Sequence, residues 1–190
     1  TLPSISVVIP TYNGQSWIEE TLESVFRQTH LPDEIIVADD ASTDGTRDRV
    51  TSVAMNSPVP VHLVRRETNS GSPAPTLNIG IGRAPGDLIA VPDHDDVFLP
   101  SKLEQQARVL AADPGMSFVF SLFGSYDAAR PARDLAVASS RVRGIHRRMI
   151  ARNGYLRCEG PVALEEFGRS VNLVGGFSGF LFRRRAWELK

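Results

Sequence analysis

The chain has a single cysteine, Cys158, in 190 residues, which excludes an intrachain disulfide and a cysteine-rich zinc site. It has no apolar run near the roughly 20 residues that a membrane-spanning helix needs. Aromatic residues make up only 7%, and with Tyr155 alone among the arginines of residues 130–157 they are too sparse there for a single-strand nucleic-acid platform. Internal repeats and low-complexity tracts are absent. The net charge of −1 is not that of a domain built to neutralise nucleic-acid phosphates, so no nucleic-acid partner is expected. What remains is a composition of 42% hydrophobic and 23% charged residues, ordinary for a globular protein. The length suits one domain with a sizeable core.

The charge is unevenly spread. Residues 1–129 hold 8 Lys and Arg against 17 Asp and Glu, a net −9; residues 130–190 hold 13 against 5, a net +8. Eight of those cations are arginines between positions 130 and 157. A planar guanidinium can donate two hydrogen bonds to a phosphate. The segment therefore reads either as a solvated arm or as a contact for a phosphate-bearing acceptor or an anionic membrane surface.

The most informative stretch is GDLIAVPDHDDVFLPSKL, residues 86–103. Residues 88–91 read as a short buried parallel strand, which ends in Asp93, His94, Asp95 and Asp96. Pro100 and Ser101 then open an amphipathic helix reaching residue 112. Carboxylates crowded at the end of a strand repel one another, and a cation relieves that repulsion. From these residues alone, a solvated acidic turn before a helix N-terminus reads equally well.

Upstream, residues 6–9 read as a strand stopped by Pro10. An amphipathic helix follows from Ser16, with Trp17 and Phe26 assigned to its core face. Residues 34–38 are a second buried strand, and Thr43 or Asp44 caps a helix reaching about Met55. Residues 61–64 are a third strand, 67–75 a loop, and a short helix ends near Gly82. Residues 116–122 read as a fifth strand. Residues 127–142 read as an extended loop, and helical spacing returns around Ile145, Met149 and Ile150. Strands are expected at 171–174 and 180–182, and a helix from near Arg184. The alternation of strands and helices predicts an α/β fold with a mostly parallel sheet. Asp39 and Asp40 follow the second strand as Asp93 to Asp96 follow the fourth. Both clusters should therefore share the carboxyl edge of the sheet, where such folds bind ligands.

SISVVIPTYNG, EIIVADDASTDGT and GDLIAVPDHDDVFLPSKLE, in this order and at these separations, resemble the family-2 glycosyltransferases with the GT-A fold, a Rossmann-like sheet flanked by helices. The likeness covers residues 4–122 and resumes at GGFSGFLFRRRAWE. It implies one GT-A domain over residues 1–190, with a nucleotide-sugar-binding half at 1–122 and an acceptor-side half at 123–190. It also implies inverting transfer of a sugar from a nucleotide donor, a UDP-sugar above others, with Mg²⁺ or Mn²⁺ as cofactor. The partners so implied are the donor and a saccharide or lipid-linked acceptor of envelope polysaccharide synthesis. The implied setting is the cytoplasm, with peripheral contact on the inner face of the membrane.

Carried over residue by residue, the resemblance sets Pro10, Thr11, Tyr12 and Asn13 against the nucleoside, with Tyr12 stacking on the base. Asp40 accepts a base N–H, because an ionised carboxylate only accepts, and Asp39 contacts base or ribose. Asn78 joins this set, although Leu77 stands where the family often has Arg. Asp93, His94 and Asp95 take the place of the DXD motif: Asp93 near the ribose, His94 a spacer, and Asp95 with Asp93 on the metal. Direct displacement also needs a general base. Glu165 and Glu166 precede GGFSGFLFRR and do not match the family's acidic motif, so the base is expected beyond Lys190 and the chain is read as a donor-binding piece. Two other classes fit less well. A non-catalytic binding module shares every donor-site residue, and a sugar nucleotidyltransferase lacks its Gly-rich basic loop in TYNGQSW.

Overall fold

The structure is a computed structural model that describes residues 1–121, 150–152, 155–157 and 177–188. It divides into two compact units, Thr1–Ser121 with Phe180–Lys190, and Leu122–Gly179. The first unit holds strands β1 (Ile5–Thr11), β2 (Glu34–Asp39), β3 (Val61–Arg65), β4 (Leu88–Ala90), β5 (Phe118–Phe120) and β8 (Phe180–Arg183). They form one sheet in the order β3-β2-β1-β4-β8-β5. In the second unit, β6 (Ile150–Arg152) and β7 (Tyr155–Arg157) pair antiparallel.

Strands β3, β2, β1 and β4 are parallel, as the alternation of elements predicts. Their apolar runs are buried on both faces. Ile5, Val7, Ile9, Ile35 and Val37 pack with helices α1 (Ile18–Phe26), α2 (Thr46–Ala54) and α4 (Lys102–Ala112). Val8, Ile36 and Ile89 point the other way, against Leu77 and Ile81 of helix α3 (Pro73–Arg83). Gly80 lets α3 lie this close: a Cβ there would come 2.5 Å from Val8 Cγ1.

Several expectations need correction. Strand β1 does not stop at Pro10 but runs on to Thr11. The Thr11 carbonyl accepts from the Asp40 N–H at 2.8 Å, so Thr11 faces β2. Residues alternate between neighbours in a parallel ladder, so Pro10 faces the β4 side. The β4 pairing ended at Val7, and the missing proline N–H costs no ladder bond. Helix α3 begins at Pro73, inside the expected loop, because Ser72 caps it and proline suits a first helical position. Gly45, not Thr43 or Asp44, is the N-cap of α2. Asp44 still serves that end, its carboxylate accepting from the Thr46 hydroxyl and, at 3.0 Å, from the Thr46 N–H. Trp17 is 55% exposed rather than core, while Phe26 packs against the core.

Strand β8 enters antiparallel between β4 and β5. Arg183 at its end donates to the carbonyls of Met116, at 2.9 Å, and Leu110, at 2.6 Å, which ties β8 to the C-terminal end of α4. The helix expected from Arg184 is α5 (Arg184–Glu188). Ile150 lies in a strand and not in the expected helix. Ile145, Met149, Glu165, Glu166 and the strand expected at 171–174 fall outside the described residues. Among the described residues, no helix is long and apolar enough to cross a membrane.

Candidate functional site

Three connections meet at the carboxyl ends of β1, β2 and β3. The one after β1 and the one after β2 interlock. Asn13 N–H donates to Ser42 Oγ at 2.9 Å, and Asn13 Oδ1 accepts from Thr43 N–H at 2.9 Å. Gln15 N–H donates to Asp44 Oδ2 at 3.2 Å, and Gln15 Oε1 accepts from Gly45 N–H at 2.9 Å. Asn13 and Ala41 both adopt positive φ, 51° and 63°. Asparagine tolerates that region; alanine pays a steric penalty there.

Asp39 and Asp40 are buried beneath this interlock. Asp39 Oδ1 accepts from the Ser42 N–H at 3.1 Å and from its hydroxyl, and Arg65 Nε stands 3.9 Å from Asp39 Oδ2. Asp40 is the better supplied. Thr76 Oγ1 donates to Asp40 Oδ1 at 2.6 Å, and Arg66 Nε lies 3.0 Å from the same oxygen. Ser70 donates to Oδ2 through its N–H at 2.9 Å and its hydroxyl at 2.8 Å. Burial pushes the Asp40 carboxyl up, but the hydrogen bonds from Thr76 and Ser70, with the Arg66 charge, outweigh it and hold the group below its ordinary range. Asp40 is thus a permanent acceptor at neutral pH.

Beside Asp40, at the end of β1, Thr11 is buried and its Oγ1 has no hydrogen-bond partner among the described residues. A buried hydroxyl without a partner marks a place where a ligand's polar atom can be received. Tyr12 is 45% exposed, leaving its ring available to stack.

The acidic connection after β4 is a tight turn, closed by the Asp96 N–H on the Asp93 carbonyl at 3.1 Å. His94 and Asp95 are its central residues, and Asp95 is exposed. Burial first, and then the charges of Asp96 and Asp95, push the Asp93 carboxyl up, against a smaller downward pull from His94. The crowding foreseen in the sequence is therefore present. Among the described residues, no three His, Cys, Asp or Glu side chains group as a metal site. The turn offers one or two carboxylates, the donor set of a magnesium-type ion that takes its other oxygens from a substrate and water. His94 packs by its ring against Gly14, where a Cβ would lie 2.6 Å from His94 Cδ2.

Asn78, placed with the donor-binding residues by sequence, is exposed on α3, and its Oδ1 accepts from Trp187 Nε1 at 3.1 Å. It lies two residues, more than half a turn, from Thr76, the α3 residue that reaches Asp40. Sequence reasoning passed over Thr76, Ser70, Arg65 and Arg66. The available signal was two consecutive arginines closing β3 on the edge that carries the acidic pairs.

The family model for Glycosyl transferase family 2 matches residues 6–162. A Bacillus subtilis protein named for a glycosyltransferase role in teichuronic acid biosynthesis, TuaG, is 41% identical over 108 residues, covering 57% of this chain and 42% of that protein. The solved structure of S. aureus TarS 1–349 in complex with UDP is 28% identical with a TM-score of 0.59, over 68% of this chain and 38% of that one. The mannosyltransferase PcManGT from Pyrobaculum calidifontis, solved with GDP-Man and Mn²⁺, is 30% identical with a TM-score of 0.61, over 73% of this chain and 39% of that one. The chain thus spans about two fifths of the length of each.

Proposed function

The chain belongs to glycosyl transferase family 2, and from that premise we propose that it binds a nucleotide sugar, a UDP-sugar first, at the carboxyl edge of its sheet. It passes the sugar, with inversion, to a saccharide or lipid-linked acceptor of envelope polysaccharide. The observation that carries this reading is the pair of buried, hydrogen-bonded carboxylates Asp39 and Asp40, with a buried Thr11 hydroxyl that has no partner among the described residues and an exposed Tyr12 beside it in sequence. The ligands of the two solved neighbours, UDP in one and GDP-Man with Mn²⁺ in the other, support a nucleotide-sugar donor. The role for which TuaG is named supports the acceptor class. Residues 1–122 supply the donor site, and residues 123–190 part of the acceptor side. The setting proposed is the cytoplasmic face of the membrane, with contact through the arginines of residues 130–157.

In this reading Tyr12 stacks on the base, with Pro10 and Asn13 shaping the pocket. Asp40, kept ionised by Thr76, Ser70 and Arg66, accepts the base N–H. The Ser70 hydroxyl has an alternative acceptor in the Ser72 carbonyl at 2.7 Å, so it can turn aside and open Asp40 Oδ2 to the base. Thr11 Oγ1 meets a base or ribose oxygen, and Asp39 holds the neighbouring backbone by its bonds to Ser42. Asp93 lies toward the ribose, and Asp95 with Asp93 holds Mg²⁺ or Mn²⁺. When bound, that ion neutralises the charge developing on the departing nucleoside diphosphate.

Calorimetric titration of UDP, with Mn²⁺ and then with EDTA, on wild type and Asp95→Ala tests the reading. Metal-strengthened binding that Asp95→Ala abolishes is the expected result. Absence of UDP and GDP binding by a folded wild type overturns it.

A further inference from the structure

We propose that Thr21 is a positioning residue for the acidic turn at 93–96, holding Asp95 where it can meet a diphosphate-bound cation. The proposal rests on the donor-site reading above. Thr21 is buried in α1, and its Oγ1 donates to the His94 carbonyl at 2.8 Å across 73 residues of sequence. The bond grips the turn one residue before Asp95. The His94 ring is confined as well, against Gly14, where even a methyl group would collide.

The grip continues along α1 and just past its end. Ser24 Oγ accepts from the Phe98 N–H at 3.0 Å. Gln28 donates to the Leu99 carbonyl at 2.8 Å and accepts from the Leu103 N–H at 3.0 Å. Thr21 and Ser24 lie three apart and share a face of α1, and Gln28 follows just beyond the helix end. All three are buried, and each bonds a backbone atom of the connection between β4 and α4. Buried polar groups need partners; Ser24 and Gln28 also donate to the carbonyls of Thr21, at 2.7 Å, and Ser24, at 3.2 Å, but all three side chains reach this one connection. That connection needs holding, because Asp93, Asp95 and Asp96 repel one another without a cation. A turn already ordered before the cation arrives loses less entropy on binding.

The test titrates UDP, with Mn²⁺ and with EDTA, into wild type, Thr21→Val and Thr21→Ser. Valine keeps the branched shape and replaces the hydroxyl with a methyl group that cannot donate. In Thr21→Val the gain in affinity from Mn²⁺ should shrink about fivefold, the size of one lost hydrogen bond, with the EDTA affinity unchanged. Thr21→Ser should restore the gain. Hydrogen exchange at amides 94–98 of the metal-free protein should quicken in Thr21→Val alone. A full Mn²⁺ gain in Thr21→Val, equal losses with and without Mn²⁺, or unchanged exchange overturns the proposal. If wild type binds UDP with no Mn²⁺ gain, the metal part of the donor-site reading fails, and exchange at 94–98 alone decides whether Thr21 holds the turn. Should Thr21→Val not fold, Ser24→Ala, which removes the acceptor of the Phe98 N–H in the same connection, should produce the same selective loss, and a full Mn²⁺ gain there overturns the proposal.

Discussion

The Thr76 hydroxyl donates to Asp40 Oδ1 at 2.6 Å, joining the first turn of α3 to the carboxyl end of β2 across 36 residues. Ser70 and Arg66 complete the set, so one carboxylate organises the connection between β3 and α3. Its folded-state pKa lies below the ordinary 3.8. The unfolded chain therefore binds more protons in acid, and the stabilisation is complete above that value and lost as pH falls below it. Asp40→Asn should be less stable than wild type at pH 7 by about 1–3 kcal/mol. That gap should close as the pH falls toward 2, as read from urea midpoints. A gap that stays constant over this range contradicts the assignment.

Ala41 sits at φ 63°, between Asp40 and the Ser42 that bonds Asp39. The left-handed conformation costs an alanine about 1–2 kcal/mol. Glycine adopts it freely, but its more flexible unfolded chain takes back about 0.4–1 kcal/mol. The first effect wins, and Ala41→Gly should raise the thermal midpoint by a few degrees, roughly the equivalent of 1 kcal/mol for this size. A lower midpoint would mean that the interlock with Asn13 and Gln15 needs the stiffer residue.

The sheet was legible in the sequence wherever a strand is buried on both faces. The runs at residues 6–9, 34–38 and 88–91 appear as β1, β2 and β4 with small changes at their ends. The shared edge of the two acidic clusters followed from parallel strands alone. Other features had a local signal that was outweighed. Ser72 followed by Pro73 is a helix start, hidden in a stretch of loop-type residues, and Asn153-Gly154 between β6 and β7 is a hairpin signal. Two features had no local signal. Residues 180–182 read as a strand, but insertion between β4 and β5 is decided by distant partners. Thr21, Ser24 and Gln28 look like surface positions until the connection they bond is in place.

Gly80 shows two effects of opposite sign. In a helix interior alanine is favoured over glycine by about 0.8–1.0 kcal/mol. A Cβ at this position, however, comes 2.5 Å from Val8 Cγ1 and 3.3 Å from Ala38 Cβ, both in central strands. Neither neighbour can move without disturbing the ladder, and overpacking a core costs about 1–3 kcal/mol. Gly80→Ala should therefore be net destabilising in urea unfolding. At Gly82, where among the described residues a Cβ would meet only Trp187, at 3.7 Å, alanine should be neutral or stabilising. Equal effects at the two positions would show that propensity, not packing, dominates.

Arg183 joins the returning strand to the end of α4. Its guanidinium donates to the carbonyls of Leu110, Met116 and, at 3.4 Å, Asp113. A helix leaves its last carbonyls unpaired and carries partial negative charge there, so a fixed cation with several donors suits the position. Arg183→Met keeps most of the stem and removes every donor; hydrogen bonds to a charged group are worth about 1.5–3 kcal/mol each and do not add fully. A loss of about 2–4 kcal/mol is expected, on the scale of a broken buried network. Lysine supplies the charge but not the planar fork, so Arg183→Lys should recover less than half of the loss. The urea midpoints of the two variants decide the matter: if they coincide with each other near wild type, the bonds contribute nothing, and if lysine recovers everything, charge alone holds β8 to α4.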